Sequence, residues 1–396
     1  MSPADRFPRE LLTAPAAARL AYFASKVVAH PRLKAAHQAL EDALHQPAGA
    51  SLILVYGPTG VGKTTLRRRI EQQLLAAALP ELERDPGRLP VLALEAVAPE
   101  SGQFNWKDYY TRALVALEEP LLAHKIAPAA GSPAPDGTAR PVIKRGTSAP
   151  ELRWVLEQSL RQRGVAVCLV DEAQHLRRLA SARRLLDQMD TLKSLAALTG
   201  TVHVLVGTYE LLGLANLSAQ LSRRSVEIHF GRYHADRAAD RLAFQSVVLT
   251  FQRHLPLAEE PDLVGAWEAL YEGSLGCVGV LKSWLDRALA DALAEGAPTL
   301  TPRHLARQAA PTRTLLSLAR ELAEGEQALR EEARARDHLR TLLGLAPGAT
   351  ASALPSANGT GSPPPTGTPR PHPPGRAAQR RPMRDPVGKG RHEHEP

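Results

Sequence analysis

Short apolar runs of strand length alternate with amphipathic stretches along much of the chain. After the first run, Leu66, Ile70 and Leu74 fall on one face of a helix predicted over residues 65–79. Strands that are apolar throughout and are separated by helices are typical of a parallel sheet covered on both faces. The pattern therefore predicts an α/β fold built on a five-stranded parallel sheet. The predicted strands are Leu52–Tyr56, Val91–Glu95, Val165–Val170, Val202–Gly207 and Val226–Phe230.

On either side of this core the periodicity is helical. Amphipathic stretches precede it, and a compact helical lid follows it, in which one helix carries Leu242, Phe244 and Phe251. Thr301 and Pro302 are a typical helix start, with Thr as the cap and Pro at the first position. A charged helix with leucines on one side comes next and fits a solvated or partner-binding role. The predicted segments are an N-terminal helical segment (1–46), the α/β core (47–234), the helical lid (235–312) and the charged helix (313–346).

Two segments lack this periodicity. Residues 127–150 are rich in Pro, Gly, Ala and Ser and carry basic side chains, which predicts a flexible basic loop that interrupts the core. Residues 347–396 contain 12 Pro and 7 Gly with almost no large apolar side chains. Such a tail cannot bury enough surface to offset the entropy lost on ordering, so it is predicted to be disordered.

Net charge and composition limit the possible partners, metal sites and cellular location of the protein. The formal net charge is +8, and the tail contributes +4 of it from seven Lys/Arg and three acids, so the rest of the chain is only mildly basic. This charge permits binding to nucleic acid but does not require it. The two cysteines, Cys168 and Cys277, have no partner at metal-ligand spacing. The absence of a signal core and of any apolar stretch of about 18 residues predicts a cytoplasmic protein without membrane contact.

A glycine-rich motif lies between the first strand and the first core helix. Residues 57–64 fit the phosphate-loop pattern G-x-x-x-x-G-K-[ST] at every fixed position. The glycines let backbone N–H groups surround phosphate oxygens, and the helix N-terminus adds partial positive charge. Lys63 is predicted to reach the β- and γ-phosphates of ATP, and the Thr64 hydroxyl to hold Mg²⁺. The predicted nucleotide-binding residues are Gly57, Pro58, Thr59, Gly60, Val61, Gly62, Lys63, Thr64 and Thr65.

Polar residues next to three later strands complete a candidate catalytic set with Lys63. Asp171 and Glu172 follow the third strand, at the strand end where ligands bind in open α/β sheets. Asp171 is predicted to hold Mg²⁺, directly or through water, and Glu172 to polarise the water that attacks the γ-phosphate. Thr208 ends the next strand and is predicted to sense the γ-phosphate or to orient that water. Arg223, just before the last strand, is predicted to reach a neighbouring subunit's nucleotide, with Arg224 as the second candidate.

Together these motifs resemble those of an AAA+ ATPase. Within that group the chain is similar to the transposition regulators called TniB and TnsC, relatives of the phage Mu B protein. The similarity extends from about His30 to Leu305. The resemblance implies an AAA+ phosphate-loop core followed by a small helical lid. Its more particular segments are Asn105–Tyr110, Val170–Leu176, Leu205–Thr208 and Gly276–Gly279.

Members of this family oligomerise with ATP into rings or helical filaments on duplex DNA. They mark the target site and recruit a transposase and a TniQ-type adaptor. The resemblance implies the same for this chain, with ATP hydrolysis timing the disassembly of the oligomer. It places the DNA contacts at Lys107 and, in the basic loop, at Lys144, Arg145 and Thr147. Such side chains suit phosphate contacts, which carry no sequence code.

One position departs from the family pattern. Many AAA+ lids carry an arginine that touches the γ-phosphate at the start of a lid helix. Here the corresponding region holds Val280, and Lys282 is the nearby cation. The departure predicts weak nucleotide sensing by the lid, with turnover that is slow or dependent on a partner.

Other functions remain open at the level of the sequence. The main alternative is an AAA+ ATPase of a secretion or signalling assembly that acts on protein partners without DNA. A replication-type loader or initiator would favour a dedicated sequence-reading domain, and no helix-turn-helix pattern or zinc site is present in the sequence. A nucleotide kinase is the small-molecule alternative, against which the helical lid and the pre-strand arginines argue.

Overall fold

The computed structural model describes residues 6–45, 50–98, 104–118, 126–128, 141–143, 148–176, 182–215 and 225–345. In chain order the helices and strands are α1 (Ala16–Ser25), α2 (Pro31–His45), β1 (Leu52–Tyr56), α3 (Lys63–Arg84), β2 (Val91–Glu95), α4 (Trp106–Ala116), β3 (Ile126–Pro128), β4 (Pro141–Ile143), α5 (Ala149–Gln162), β5 (Val167–Asp171), α6 (Ala182–Thr199), β6 (Val202–Gly207), α7 (Leu212–Ala215), β7 (Ser225–His229), α8 (Ala238–His254), α9 (Trp267–Ser274), α10 (Val278–Ala294), α11 (Pro302–Gln308) and α12 (Thr312–Leu342).

Five parallel strands form the central sheet in the order β2-β5-β6-β1-β7, which confirms the predicted fold class. Their registers place Glu95 beside Asp171, and Tyr56 beside both Gly207 and His229. The carboxyl ends of the strands therefore lie level along one edge of the sheet. β5 begins later than predicted because the N–H of Val165 donates to the Leu160 carbonyl, closing the turn after α5 over 2.9 Å.

Alternate side chains of the strands enter two separate apolar clusters, one on each face of the sheet. On one face, Leu54 and Val170 pack in a cluster with residues of α4, α5 and α6. On the other face, Val55 and Leu169 pack with residues of α2 and α3. Both faces are thus covered by helices, as the uninterrupted apolar character of the strands predicts.

The lid has a core of its own. Phe244, Val248 and Phe251 of α8 pack with residues of α9 and α10. Phe23 of α1 belongs to the same cluster, with its ring centroid 6.1 Å from that of Phe251. The first helix of the chain therefore packs into the lid, whereas α2 packs on the sheet.

The charged helix α12 has one packed face. Leu322 is buried in the cluster that covers one face of the sheet. Gly325 lies against the ring of Tyr209, where a Cβ atom would be 2.2 Å from the nearest ring carbon. Nε of Arg232 donates to Oε1 of Glu326 over 2.7 Å, and these side chains are 19% and 11% exposed. The solvated or partner-binding role predicted for this helix is thus restricted to its other faces.

Contacts divide the chain into two units, 1–336 and 337–396. In the second unit the described residues are the end of α12 and the turn after it, where Leu342 and Leu343 are exposed. The predicted disordered tail lies outside the described residues. Within the predicted basic loop, β3 and β4 pair antiparallel. None of the helices in the described ranges is long and apolar enough to cross a membrane.

Candidate nucleotide-binding site

The phosphate-loop motif connects β1 to α3 at the carboxyl edge of the sheet. Gly60 (φ +75°) and Gly62 (φ +113°) have left-handed backbone conformations, which favour glycine. Gly57 is required for a different reason, because a Cβ there would lie 2.0 Å from the carbonyl oxygen of Phe230. α3 begins immediately after the loop, at Lys63, so its first N–H groups have no partner within the helix. The loop and the helix start form a cradle suited to phosphate oxygens.

Lys63 is folded back onto the loop that precedes it. Its Nζ donates hydrogen bonds to the carbonyl oxygens of Gly57, over 2.9 Å, and Pro58, over 2.8 Å. Lys63 is 8% exposed. Burial lowers its pKa to about 8, against an opposing influence of Glu172 and Asp171. The side chain therefore carries its charge at pH 7 although it is largely dehydrated.

Asp171, the last residue of β5, lies at the centre of a charged cluster. Its Oδ2 accepts a hydrogen bond from Nε of Arg67 over 3.2 Å, and its Oδ1 accepts one from the backbone N–H of Glu172 over 3.0 Å. Nη1 of Arg67 also donates to Glu71 over 2.8 Å. Asp171, Glu172 and Thr64 line one cavity of about 270 Å³. The sequence analysis missed Arg67, although its position one helical turn after Lys63 is the signal that could have identified it.

Gln174 connects Glu172 to Thr208. Its Nε2 donates to Oε2 of Glu172, and its Oε1 accepts from the backbone N–H of Thr208 over 3.2 Å. Because a carboxylate only accepts and an N–H only donates, these two partners fix the orientation of the amide. Glu172 itself has a left-handed φ of +51°, which residues other than glycine rarely adopt. Gln174 lies in one of the segments that carry the family resemblance, but the sequence analysis assigned it no role.

The cradle and the polar side chains around it fit a nucleoside triphosphate with Mg²⁺. Oγ1 of Thr208 is buried and has no hydrogen-bond partner among the described residues, so it is available to a ligand. Mg²⁺ usually binds one or two carboxylates together with substrate phosphates. The Thr64 hydroxyl and the Asp171 carboxylate match that need. The described part of the chain holds no cluster of three or more His, Cys, Asp or Glu that could form a dedicated metal site.

The lid contacts the phosphate loop through its backbone. The N–H of Val280 donates to the carbonyl oxygen of Gly60 over 3.2 Å. A Cβ at Gly279 would lie 2.5 Å from that same oxygen. Lys282 points elsewhere: its Nζ donates to Asp286 over 2.5 Å and lies 4.3 Å from the centroid of the Phe23 ring. Lys282 therefore does not take the place of the lid arginine that the family pattern leads one to expect.

Lys107 lies in the first turn of α4, close to the start of α5. Asn105 caps α4 by accepting the N–H of Asp108 over 3.1 Å. Ser148 and Glu151 form a capping box at the start of α5. Hydrogen bonds from Ser148 lower the pKa of Glu151, and the charge of Lys107 adds a smaller contribution in the same direction. The other predicted DNA contacts and the predicted trans-acting arginine lie outside the described residues, namely Lys144, Arg145, Thr147 and Arg223.

Residues 45–214 match the family model described as an AAA domain. This part of the chain is an AAA domain with the phosphate-loop fold. The matched AAA+ region contains the phosphate loop, Asp171, Glu172 and Thr208, so the motif residues and the family match fall on the same part of the chain. The protein is accordingly an enzyme that hydrolyses ATP.

Several solved structures resemble the protein at low sequence identity. The ORC2 protein of Aeropyrum pernix in its ADP form is 15% identical with a TM-score of 0.49, over 72% of this chain and 70% of that one. A Walker-type ATPase of Pyrococcus abyssi is 20% identical with a TM-score of 0.40, over 76% of this chain and 75% of that one. Domain III of the Thermotoga maritima replication initiation protein DnaA is 15% identical with a TM-score of 0.39, over 72% of this chain and 94% of that one. No curated protein gives a significant match.

Proposed function

We propose that this AAA+ ATPase is a regulator of transposition that oligomerises on duplex DNA with ATP, marks the target site and recruits a transposase and a TniQ-type adaptor. The segments that resemble TniB and TnsC support the family-level part of the proposal. The observation that carries the DNA part is the proximity of Lys107 to the start of α5. Lys144, Arg145 and Thr147, the other residues that the resemblance assigns to DNA contact, shortly precede α5 in the sequence.

The chemistry of this surface suits a phosphate backbone. Lys107 is in the first turn of α4, and α5 begins beside it. Helix N-termini carry partial positive charge, but Asp108 and Glu151 offset part of it at these two helix starts, so Lys107 supplies the positive charge proposed to bind phosphate. Lysine, arginine and hydroxyl side chains add contacts to phosphate that do not depend on base sequence. The proposed DNA surface, for which Lys107 is the described residue, would therefore bind many target sequences.

Hydrolysis would use the residues at the carboxyl edge of the sheet. The loop 57–64 would hold the phosphates, with Lys63 exchanging its loop carbonyls for phosphate oxygens. Thr64 and Asp171 would be the Mg²⁺ ligands, and Mg²⁺, when bound, would offset charge on the transferring phosphoryl group. Glu172 would accept a proton from the attacking water, and the Thr208 hydroxyl would orient that water or sense the γ-phosphate.

Oligomerisation would complete this site through Arg223. Ser225, two residues later, begins the edge strand β7 and pairs with Leu52, the first residue of β1. The subunit's own phosphate loop follows Tyr56 at the other end of β1, about 13 Å away along the strand. The strand that follows Arg223 in the sequence thus begins at the sheet edge away from the phosphate loop, and we propose that Arg223 acts at a neighbouring subunit's nucleotide.

The salt dependence of duplex binding tests the proposed DNA surface. Lys107→Ala and Arg145→Ala should each reduce the slope of log K against log salt by about 0.9 per subunit, because each removes one phosphate contact. The loss should be equal on two unrelated duplex sequences, with ATP affinity unchanged. Fluorescence anisotropy of a labelled duplex, with a non-hydrolysable ATP analogue present, measures the DNA affinity at each salt concentration. Anisotropy of a fluorescent ATP analogue measures the ATP affinity. Lys34→Ala, which removes an exposed charge from α2, is the matched control.

Two outcomes distinguish a wrong assignment of the DNA-binding residues from a wrong proposal for the function. Wild-type slope and affinity in both variants would exclude these two residues from DNA binding. A wild-type protein that fails to bind duplex even at low salt would contradict the proposed function itself and favour an assembly with protein partners.

A further inference from the structure

Gln174 fills the space between the ends of β5 and β6. It is 7% exposed, and both ends of its amide have partners: the Glu172 carboxylate and the backbone N–H of Thr208. A buried amide satisfied at both ends has one preferred position, since any rotation of the amide leaves a buried polar group unpaired. One side chain therefore links the acid predicted to act on water to the turn that carries the predicted γ-phosphate sensor.

Gly207 leaves room for this link. A Cβ at Gly207 would lie 2.5 Å from Oε1 of Gln174. Gly207 directly precedes Thr208, so the same turn that offers its N–H to the amide is also shaped to accept it. The contact between Gln174 and the end of β6 thus depends on two features, the Thr208 N–H that donates to the amide and the absence of a Cβ at Gly207.

We propose that Gln174 is a positioning residue for ATP hydrolysis, holding the Glu172 carboxylate in a place set by the Thr208 turn. A glutamate side chain loses rotamer entropy when it is fixed, so its place depends on a partner. A misplacement of about 1 Å at a reacting group can lower a rate by about 100-fold. The proposal rests on the ATPase activity and does not depend on DNA binding or on transposition.

Replacing Gln174 by methionine tests the proposal. Gln174→Met keeps the length of the side chain and removes both hydrogen bonds. We expect kcat to fall by about 10- to 100-fold. KM for ATP, and Kd for a fluorescent ATP analogue, should stay within about threefold of wild type, because the phosphate loop is untouched. Gln38→Met is the matched control, since Gln38 donates its amide to the Asp42 carboxylate far from this site over 2.9 Å.

A charge exchange gives a readout that is independent of activity. Gln174→Glu brings a second carboxylate against Glu172 and should lower the thermal midpoint of the nucleotide-free protein. The double variant Glu172→Gln/Gln174→Glu restores an amide–carboxylate pair in reverse and should recover that midpoint. It should not hydrolyse ATP, because residue 172 then carries no carboxylate.

Three results would overturn the assignment. The first is wild-type kcat in Gln174→Met. The second is a fall in kcat matched by an equal loss of nucleotide affinity, which would indicate a general structural role. The third is a double variant whose midpoint is no higher than that of Gln174→Glu, which would mean that residues 172 and 174 do not interact.

Discussion

Side chains at the nucleotide site also bind residues of the site itself. Lys63 donates to carbonyl oxygens of its own loop, and Arg67 donates to Asp171. A phosphate at Lys63 or a cation at Asp171 would compete with these contacts. Net affinity is the difference between the two sets of contacts, which is smaller than the sum of the new ones.

His203 in the middle of β6 predicts a specific pH dependence of stability. Its side chain is fully buried, and burial lowers its pKa to about 4. An unfolded histidine titrates near 6.5, so between these values the unfolded state binds more protons and stability falls as the pH falls. At pH 5 the loss from His203 is about 2 kcal/mol relative to pH 8. His203→Val should therefore lose about 2 kcal/mol less than wild type between pH 8 and pH 5.

Urea unfolding at the two pH values measures this difference. The control is His45→Gln, because the His45 side chain is 70% exposed. Equal losses in wild type and His203→Val would show that His203 does not titrate as a buried neutral group.

The sequence identifies the chemistry of residues better than their partners. The motif spacing predicts Lys63, Thr64, Asp171 and Glu172 as one site, and the strand registers bring them to one edge of the sheet. Motif spacing does not predict the role of Gln174, because an amide has no catalytic chemistry of its own. Its role depends on where the strands β5 and β6 end. The partners of a long side chain such as Lys282 likewise depend on tertiary contacts that spacing does not encode.

At the scale of elements, the lid meets the phosphate loop where two glycines face each other. Gly60 and Gly279 allow the N–H of Val280 to reach the loop carbonyl. A main-chain hydrogen bond thus links the nucleotide loop to the lid helix α10, and the Val280 side chain lies next to Gly60. A change at the loop is thereby passed directly to the start of a helix.

Adding a methyl group at this junction should weaken nucleotide binding. Gly279→Ala places a Cβ 2.5 Å from the Gly60 carbonyl oxygen, so α10 must move away from the loop. We expect Kd for ATP to rise by about tenfold, which corresponds to about 1.4 kcal/mol. Isothermal titration calorimetry measures the change, with Ser283→Ala, an exposed site on the same helix, as the control. Unchanged affinity in Gly279→Ala would mean that the junction does not contribute to binding.

Elements were predictable where the apolar period was unambiguous. Largely apolar runs predicted the inner strands, because a sheet covered on both faces needs apolar side chains at most positions. The edge strand β7 contains Glu227 and His229, and only Ile228 of its residues is buried. Leu242 is one of the apolar residues of α8, yet it is 65% exposed. Phe244, Val248 and Phe251 follow the helical spacing that defines the inner face, and Leu242 does not. The packing of Phe23 into the lid joins residues more than 200 positions apart, which local periodicity cannot indicate.

At the scale of the whole molecule, the predicted active site is shared between subunits. Arg223→Ala should bind ATP as a monomer like wild type but neither hydrolyse it nor form stable oligomers, because an arginine supplied in trans can contribute about 10³-fold to the rate. Lys63→Ala should fail to bind nucleotide. A mixture of the two should regain part of the activity, since a mixed interface joins an intact phosphate loop to an intact arginine.

Steady-state ATPase assays across protein concentrations, with sizing by light scattering, measure these effects. Arg224→Ala is the neighbouring control. Arg223→Ala alone could still hydrolyse ATP at the wild-type rate, with the normal dependence on protein concentration. That result would exclude Arg223 from the site, and Arg224 would be the next candidate.

At Glu172 the left-handed backbone lowers the stability of the fold, whereas ATP hydrolysis needs the carboxylate of this side chain. Most residues with a Cβ lose about 1 kcal/mol in this conformation, whereas glycine has no Cβ and asparagine offsets part of the strain through local hydrogen bonds. A laboratory selection for heat resistance alone would therefore enrich glycine or asparagine at position 172. The selected variants would be more stable but would no longer hydrolyse ATP. A screen for stabilised variants of this enzyme therefore needs to keep Glu172 unchanged.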